Sequence, residues 1–493
     1  MNKPLRRIAF AVMVLVIALL CNATYVQVFR ADSLRADPRN QRVLLDEYSR
    51  QRGQISSGGL VLASSEPTSD RFKYLRQYPT NPKVYSPLTG YYSIQYSTTG
   101  IERAEDAVLN GSDDRLFGRR LFDLISGRDP RGGNVNLTLD PRAQQTAYDQ
   151  LTSKGYTGSV VALRPSTGEI LAMASTPSYD PNPLASHDPT VRQRAWAQLQ
   201  DDPKTPLVNR AIAETYPPGS TFKVVMTAAA LANGKVAPNT PVTTAPQITL
   251  PNTSTTLENY NGSSCGSGAT TTFAEAFARS CNTAFAELGV ATGADALRAE
   301  AQAFGFGVPA PDIPLPVVGS EVGPLPDKAA LAQSSIGQRD VRATPLQMAE
   351  VAATVATGGA RMQPYVVAGL QAPDLTPLGD APQPKKLGQA MPPQAANTLT
   401  QLMIGAEGHA GNGGEIRGVQ IASKTGTAEH GENPKTTPPH TWYIAFAPAK
   451  DPQVAVAVLV ENGGDRGLAA VGASVAAPIG RAVIAAALQG VPR

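Results

Sequence analysis

The first thirty residues constrain the rest of the chain more than any other stretch. "MNKPLRR" leads into "IAFAVMVLVIALLCNATYVQVF", an apolar run interrupted only by Asn22, Thr24 and Gln27. From Ile8 to Phe29 it is 22 residues long, about 33 Å as a helix and close to bilayer thickness. Lys3, Arg6 and Arg7 precede it and no charge lies within it, which is the pattern of a single-pass anchor with a cytoplasmic start and an external body. The rival is a cleaved signal peptide, because only Ile8 to Leu20 is unbroken and "CNA" offers a poor small-residue cleavage site. Leu20 before Cys21 speaks against a lipoprotein signal. On either reading the body leaves the cytoplasm, on the periplasmic side of the cell membrane.

That placement gives the remaining composition its meaning. At 493 residues the chain is long enough for two or three domains. The formal charge of +3 belongs to the amino terminus: beyond residue 30 there are 39 bases against 40 acids. A neutral body gives no electrostatic reason to expect nucleic acid. His187, His409, His430 and His440 have no paired-ligand spacing, so neither a metal nor another cofactor is expected. Cys265 and Cys281 are sixteen positions apart. Outside the cytoplasm they can pair as a disulfide, or they can stay two buried thiols.

Three segments follow from the patterning: 1–30 as tail and anchor, 31–155 as a first soluble segment, and 156–493 as a larger domain. "LVLAS" and "NVNLTL" read as short strands. "DPRAQQTAYDQLTSKG" has an acidic cap, a first-turn proline and a terminal glycine, so a helix starts near Asp140. "GSVVALRPSTGEILAMAS" reads as a hairpin. An alanine-rich helical middle follows, then three strands in "GVQIASKTGTAE", "TWYIAFAPA" and "QVAVAVLVENG", and a last apolar helix. The larger domain is therefore an α/β (α+β) arrangement, a mixed sheet flanked by helices. Residues 241–272 and 371–394, rich in Thr/Ser/Gly and in Pro, need no secondary structure.

The chemistry sits in three short motifs. In "YPPGSTFKVVM", Ser220 and Lys223 are three apart and share a face if a helix begins there. A lysine at its ordinary pKa of about 10.4 is a poor base, but burial or a second cation lowers it enough to take a serine proton. Lys424 in "SKTGTAE" can supply that cation, and a Lys-Thr-Gly-Thr strand can meet a carboxylate. "ARSCNTAFAEL" places Ser280 and Asn282 in an apolar helical run, where buried polar groups need partners. Taken singly, each motif also reads as a helix cap or an edge strand. In this order, SxxK, SxN and KTG describe one serine-lysine acyl-transfer site.

With these motifs, and with "GSVVALRPSTGEILAMASTPSYDPN", "LVNRAIAETYPPGSTFKV" and "GQRDVRATPLQMA", the chain from about 133 onward resembles the penicillin-binding transpeptidases. The resemblance implies the serine-lysine, β-lactamase-like fold with a mixed antiparallel sheet. It implies Ser220 as nucleophile, Lys223 as base, Ser280 as proton relay and Asn282 as positioning group. Lys424, Thr425 and Thr427 would hold the terminal carboxylate of a D-Ala-D-Ala stem peptide or a β-lactam, and Gly426 would let backbone approach. Amides of Ser220 and Thr427 would form the oxyanion hole.

The hundred residues before this region are too few for a glycosyltransferase domain. They resemble instead the non-catalytic, β-rich pedestal of the monofunctional class B proteins, with "RGQISSGGLVLA" as its Arg-Gly opening. Ser56, Ser57, Gly58 and Gly59 stand where that group commonly has Asp-Arg-Asn-Gly, which removes charged contacts from the pedestal. The resemblance implies a polymerising glycosyltransferase or other divisome or elongasome partner, and the composition points to the actinobacterial shape or division type. A β-lactamase or D,D-carboxypeptidase, and a β-lactam sensor without turnover, are the alternatives. The first does not need a pedestal and an anchor, and the sequence shows no long signalling segment or multiple spans to suit the second.

Overall fold

The computed structural model describes residues 2–30, 48–127, 131–311, 313–411 and 416–489. Helix α1 (Asn2–Thr24) continues into a π-helical turn, Tyr25–Phe29. Within Lys3–Phe29 an 18-residue window has mean hydropathy 2.3, and none of it is buried among the described residues. Among the described residues it is the one helix long and apolar enough to cross a membrane.

The first sheet begins with β1 (Ile55–Ser57), β2 (Leu60–Pro67) and β3 (Tyr74–Gln77). Helix α2 (Phe117–Ile125) precedes β4 (Asn134–Leu137), which pairs parallel to β1. The Ser56–Gly59 stretch makes the β1–β2 hairpin. Gly58 and Gly59 both have positive φ, as a tight hairpin turn requires. Ser57 Oγ donates to the carbonyls of Leu137 and Leu139, so hydroxyl-to-backbone bonds stand where charged groups were expected to be lost.

The core of this sheet holds a buried ion network that the sequence did not announce. Glu102, wholly buried, accepts from Arg52 Nε at 2.6 Å, Arg76 Nε at 2.6 Å and Tyr78 OH at 3.1 Å. Arg52 also reaches Asp106 at 2.6 Å, and Arg76 reaches the Gly53 carbonyl at 2.6 Å. The two guanidiniums hold the Glu102 carboxyl below its ordinary range against the opposing effect of burial. Gly53 must be glycine, because a Cβ there would lie 1.8 Å from the Gly133 carbonyl oxygen.

Helix α3 (Pro141–Thr152) starts where its cap predicts: Asp140 accepts from the amides of Arg142 and Ala143. It leads to the hairpin β5 (Gly158–Leu163) and β6 (Ile170–Thr176). The middle of the chain supplies α4 (Lys223–Ala232), α5 (Asn282–Thr292) and α6 (Pro345–Ala356). Strand β7 (Val367–Gln371) then returns to pair antiparallel with β4, giving the first sheet the order β7-β4-β1-β2-β3. Helix α7 (Pro393–Glu407), strands β8 (Ala422–Ala428), β9 (His440–Ala447) and β10 (Val454–Val460), and helix α8 (Gly472–Leu488) complete the chain.

The second sheet has the order β8-β9-β10-β5-β6 and is antiparallel throughout. Helices α3 and α8 cover one face, through Ala147, Leu151, Val475, Ile479 and Val483 on Val456 and Val458. Helix α6 packs on the other. Strand β8 is left at an edge, where its backbone can meet a ligand.

Two stretches expected to lack regular structure contain it. Pro241–Thr243 pairs with Thr270–Thr272, and Gln247–Thr249 with Thr256–Glu258. Lys386–Gln389 pairs with Ala360–Met362. Threonine is β-favouring, but the turn-rich composition hid the two ladders within 241–272, and Lys386–Gln389 finds its partner outside its own stretch.

Glu350 on α6 is a buried carboxyl with no partner for Oε1, and burial pushes it up to about 8. Its folded value lies above the unfolded one, so the folded state binds the extra proton between them, and stability falls as pH rises through that window. Glu350→Gln is therefore expected to unfold at a higher temperature than the parent at pH 8 and at about the same temperature at pH 5, read by thermal melts at both values.

Candidate active site

The turn that carries Ser220 is built by exclusion of side chains. Gly219–Phe222 is a 3₁₀ turn feeding α4, and Pro218, not Ser220, occupies the cap position. Gly219 has φ +53°, and a Cβ there would come within 2.8 Å of the Thr427 carbonyl. Its amide donates to Gly337 O at 2.9 Å. The Trp442 indole N–H donates to Pro217 O at 2.9 Å, and Tyr216 exchanges both backbone hydrogen bonds with Ala343. Ser220 is thus presented, half-buried, on a turn clamped from three sides.

Strand β8 runs beside this turn. A Cβ on Gly426 would lie 3.0 Å from both Pro218 O and Thr221 Cγ2. The missing side chain lets the strand close on the Ser220 turn, a more specific reason than open access to a ligand. Thr425 and Thr427 are half-exposed on the edge, and Lys424 is buried.

The third motif closes the group. Ser280 takes the left-handed conformation, φ +63°, Cys281 caps α5, and Asn282 is its first residue. Cys281 is bonded to Cys265 across a Cα–Cα distance of 6.0 Å, which ties the turn to the preceding loop. Asn282 Nδ2 donates to Glu258 O at 3.0 Å.

The two lysines meet at Ser280. Lys223 Nζ donates to Ser280 O at 2.8 Å and Asn282 Oδ1 at 2.7 Å, and lies 3.3 Å from Ser280 Oγ. Lys424 Nζ donates to Ser280 Oγ at 2.8 Å and Thr425 O at 3.0 Å. Burial, reinforced by the Lys424 charge, lowers Lys223 well below an ordinary lysine, and burial brings Lys424 down to about 7. An uncharged Lys223 has two hydrogens, which Ser280 O and Asn282 Oδ1 accept, and its lone pair is left to take a hydroxyl proton. Lys223, Ser280, Asn282 and Lys424 therefore form one hydrogen-bonded cluster, and the Ser220 turn packs against Gly426 and Thr427 of β8.

With the fold and the cluster described, comparison with known proteins gives two family matches. Residues 158–485 match the penicillin binding protein transpeptidase domain. The chain belongs to that family. Residues 52–135 match the penicillin binding protein A dimerisation domain. The peptidoglycan D,D-transpeptidase PbpA of Mycolicibacterium smegmatis is 62% identical over 492 residues, covering 99% of each chain. PbpA of Mycobacterium tuberculosis is 60% identical over 495 residues, covering both chains completely. The ceftriaxone acyl-enzyme of the M. tuberculosis penicillin-binding protein A superposes with a TM-score of 0.88 at 59% identity, over 90% of this chain and all of that one.

In this penicillin-binding protein the sequence reading missed several supports. Trp442 and Gly337 reach the Ser220 turn from more than a hundred positions away. Gly472 lets the start of α8 approach β8, since a Cβ there would lie 2.6 Å from Gly426 O. Arg210, Glu461 and Tyr216 form a hydrogen-bonded chain at 2.8 and 2.7 Å behind the same turn. The "GQRD" stretch was a signal for Gly337. None marked Trp442 or Glu461.

Proposed function

We propose that the protein is a peptidoglycan D,D-transpeptidase that cross-links stem peptides through an acyl-enzyme on Ser220, and that β-lactams acylate the same serine. The observation that carries this is the Lys424–Ser280–Lys223–Asn282 cluster beside Ser220. Lys223 takes the Ser220 proton as Oγ attacks the carbonyl of the penultimate D-alanine. The amides of Ser220 and Thr427 receive the oxyanion. The proton returns through Ser280 to the departing nitrogen, and terminal D-alanine leaves. A second strand's amine then attacks the ester, losing its proton by the same route and freeing Ser220. Lys424, Thr425 and Thr427 hold the substrate carboxylate on the β8 edge, and Asn282 keeps Lys223 aligned.

In this reading residues 1–30 anchor the chain, 31–155 form the pedestal and 156–493 act on the external wall. The exposed apolar helix Lys3–Phe29 and its basic flank support the anchor. The protein works beside a polymerising glycosyltransferase of the division or elongation machinery, because the chain has only a pedestal where a bifunctional enzyme carries that activity.

A D-Ala-D-Ala-type thioester donor given with a D-amino acid tests the activity, with products read by mass. Transfer of the acyl group to the amine is expected. Hydrolysis alone at every acceptor concentration would instead make it a carboxypeptidase.

The second-order acylation rate should be bell-shaped in pH. It falls on the acid side as Lys223 regains its proton, and on the alkaline side as Lys424, near 7, loses the charge that holds the carboxylate. The two limbs belong to the coupled pair. Lys424→Arg keeps its charge at all working pH values, so the alkaline limb is expected to move upward while the acid limb persists. An unmoved alkaline limb would take that role from Lys424.

A further inference from the structure

Helix α2 is amphipathic the wrong way round for a soluble protein. At about 100° per residue, Phe117, Leu121, Ile125 and Phe122 fill an arc of about 140°. They are 47–78% exposed. The opposite side faces the protein through polar groups: Arg119 pairs with Asp374, and Arg120 Nη1 donates to Gly111 O. Leu375, beside Asp374, is also exposed. Four large apolar side chains in one stripe, with the polar stripe turned inward, require a cover that is not water.

The route of the chain says which cover. Residues 31–47 separate the end of the apolar helix from Tyr48, where the described body begins, at most about 60 Å of chain. The chain enters that sheet beside α2. Gly132 N donates to Gln51 O, Gly53 N donates to Leu109 O, and Gly111 lies against the Arg131 carbonyl. Arg120 closes this path by holding Gly111. The stripe and the end of the tether thus share one corner of the molecule. Arg131 at the same corner is exposed and can reach lipid phosphates from the rim of the stripe, while Arg115 is already paired with Asp113 and donates to the Leu378 carbonyl.

From this corner we infer that α2 is an interfacial helix, lying on the outer surface of the membrane that holds the chain's own anchor, with Phe117, Leu121, Phe122 and Ile125 immersed among the lipids. The inference rests on the anchor reading. It fixes the height of the first sheet at the bilayer and sets the orientation from which the second sheet reaches the wall.

The test uses the full chain in nanodiscs of phosphatidylglycerol and phosphatidylcholine. A nitroxide is placed at Phe122→Cys in a Cys21→Ala background, at native Cys21, or at Leu468→Cys in the same background as the aqueous control. Power saturation with oxygen and with a water-soluble nickel chelate reads depth. The label at 122 is expected about 5–10 Å below the phosphates, with 468 in water, and adding Leu121→Glu and Ile125→Glu is expected to return 122 to water. A label in water at 122 with Cys21 immersed overturns the inference and leaves the anchor standing. Cys21 in water overturns both. A label at 122 shielded from both reagents, with spin–spin broadening lost on dilution by unlabelled protein, overturns it in favour of a second copy.

Discussion

Lys223→Met should lower the rate of acylation by about 10²–10⁴-fold. Methionine keeps an unbranched side chain but loses the nitrogen that lies 5.2 Å from the Phe285 ring centroid. It removes the nitrogen that Ser280 O and Asn282 Oδ1 bind, at a cost of about 1–3 kcal/mol for the carbonyls left unpaired. The decisive partner is Lys223→Arg. A guanidinium supplies charge and donors but does not give up its proton at working pH. If Lys223 acts as the base, both variants lose the same rate, and the acid limb of the pH profile disappears from what activity remains. If it acts only through its charge, arginine retains most of the activity. Stopped-flow acylation with a chromogenic β-lactam separates the two.

The second large effect is on stability and lies far from the chemistry. Glu102→Ala is expected to destabilise the protein by about 3–5 kcal/mol, because Arg52 and Arg76 would remain buried without their shared carboxylate. Glu102 has a depressed folded pKa, so its contribution is complete above the unfolded carboxyl value and is lost as pH falls through the folded one. Denaturant titration of the full chain in detergent should give a parent whose stability declines toward acid and a Glu102→Ala variant that lacks this part of the decline. A loss under about 1 kcal/mol would mean that the network acts like a solvated surface pair.

What was legible in the sequence was local. The apolar run, the Asp140 cap, the Pro-Ser-Thr-Gly hairpin and the three motifs each carry their physics within one continuous stretch, and the structure has the corresponding elements. The motifs could be joined into one site because a lysine needs a second cation and a buried serine needs partners. Long-range choices were not legible. Glu102 lies 50 positions from Arg52 and 26 from Arg76, and nothing near "GIERAEDA" says that its glutamate is buried. Strand β7 pairs with β4, its Val367 opposite Leu137, 230 positions earlier. Trp442 donates to a carbonyl 225 positions away. The 241–272 ladders failed to register because a run of three threonines reads as loop until its partner is known. Even at Gly426, where glycine was expected, its reason lay across the fold in Pro218 and Thr221.

The most direct test of the whole account is peptide-mapped mass spectrometry of the full chain after exposure to penicillin G, beside Ser220→Ala. The parent is expected to gain one penicilloyl group, on the peptide containing "YPPGSTFK". The variant is expected to gain none while melting at the parent's temperature. An adduct on another residue, or acylation that survives in a folded Ser220→Ala, would contradict the assignment of Ser220 as the nucleophile, and with it the transpeptidase mechanism.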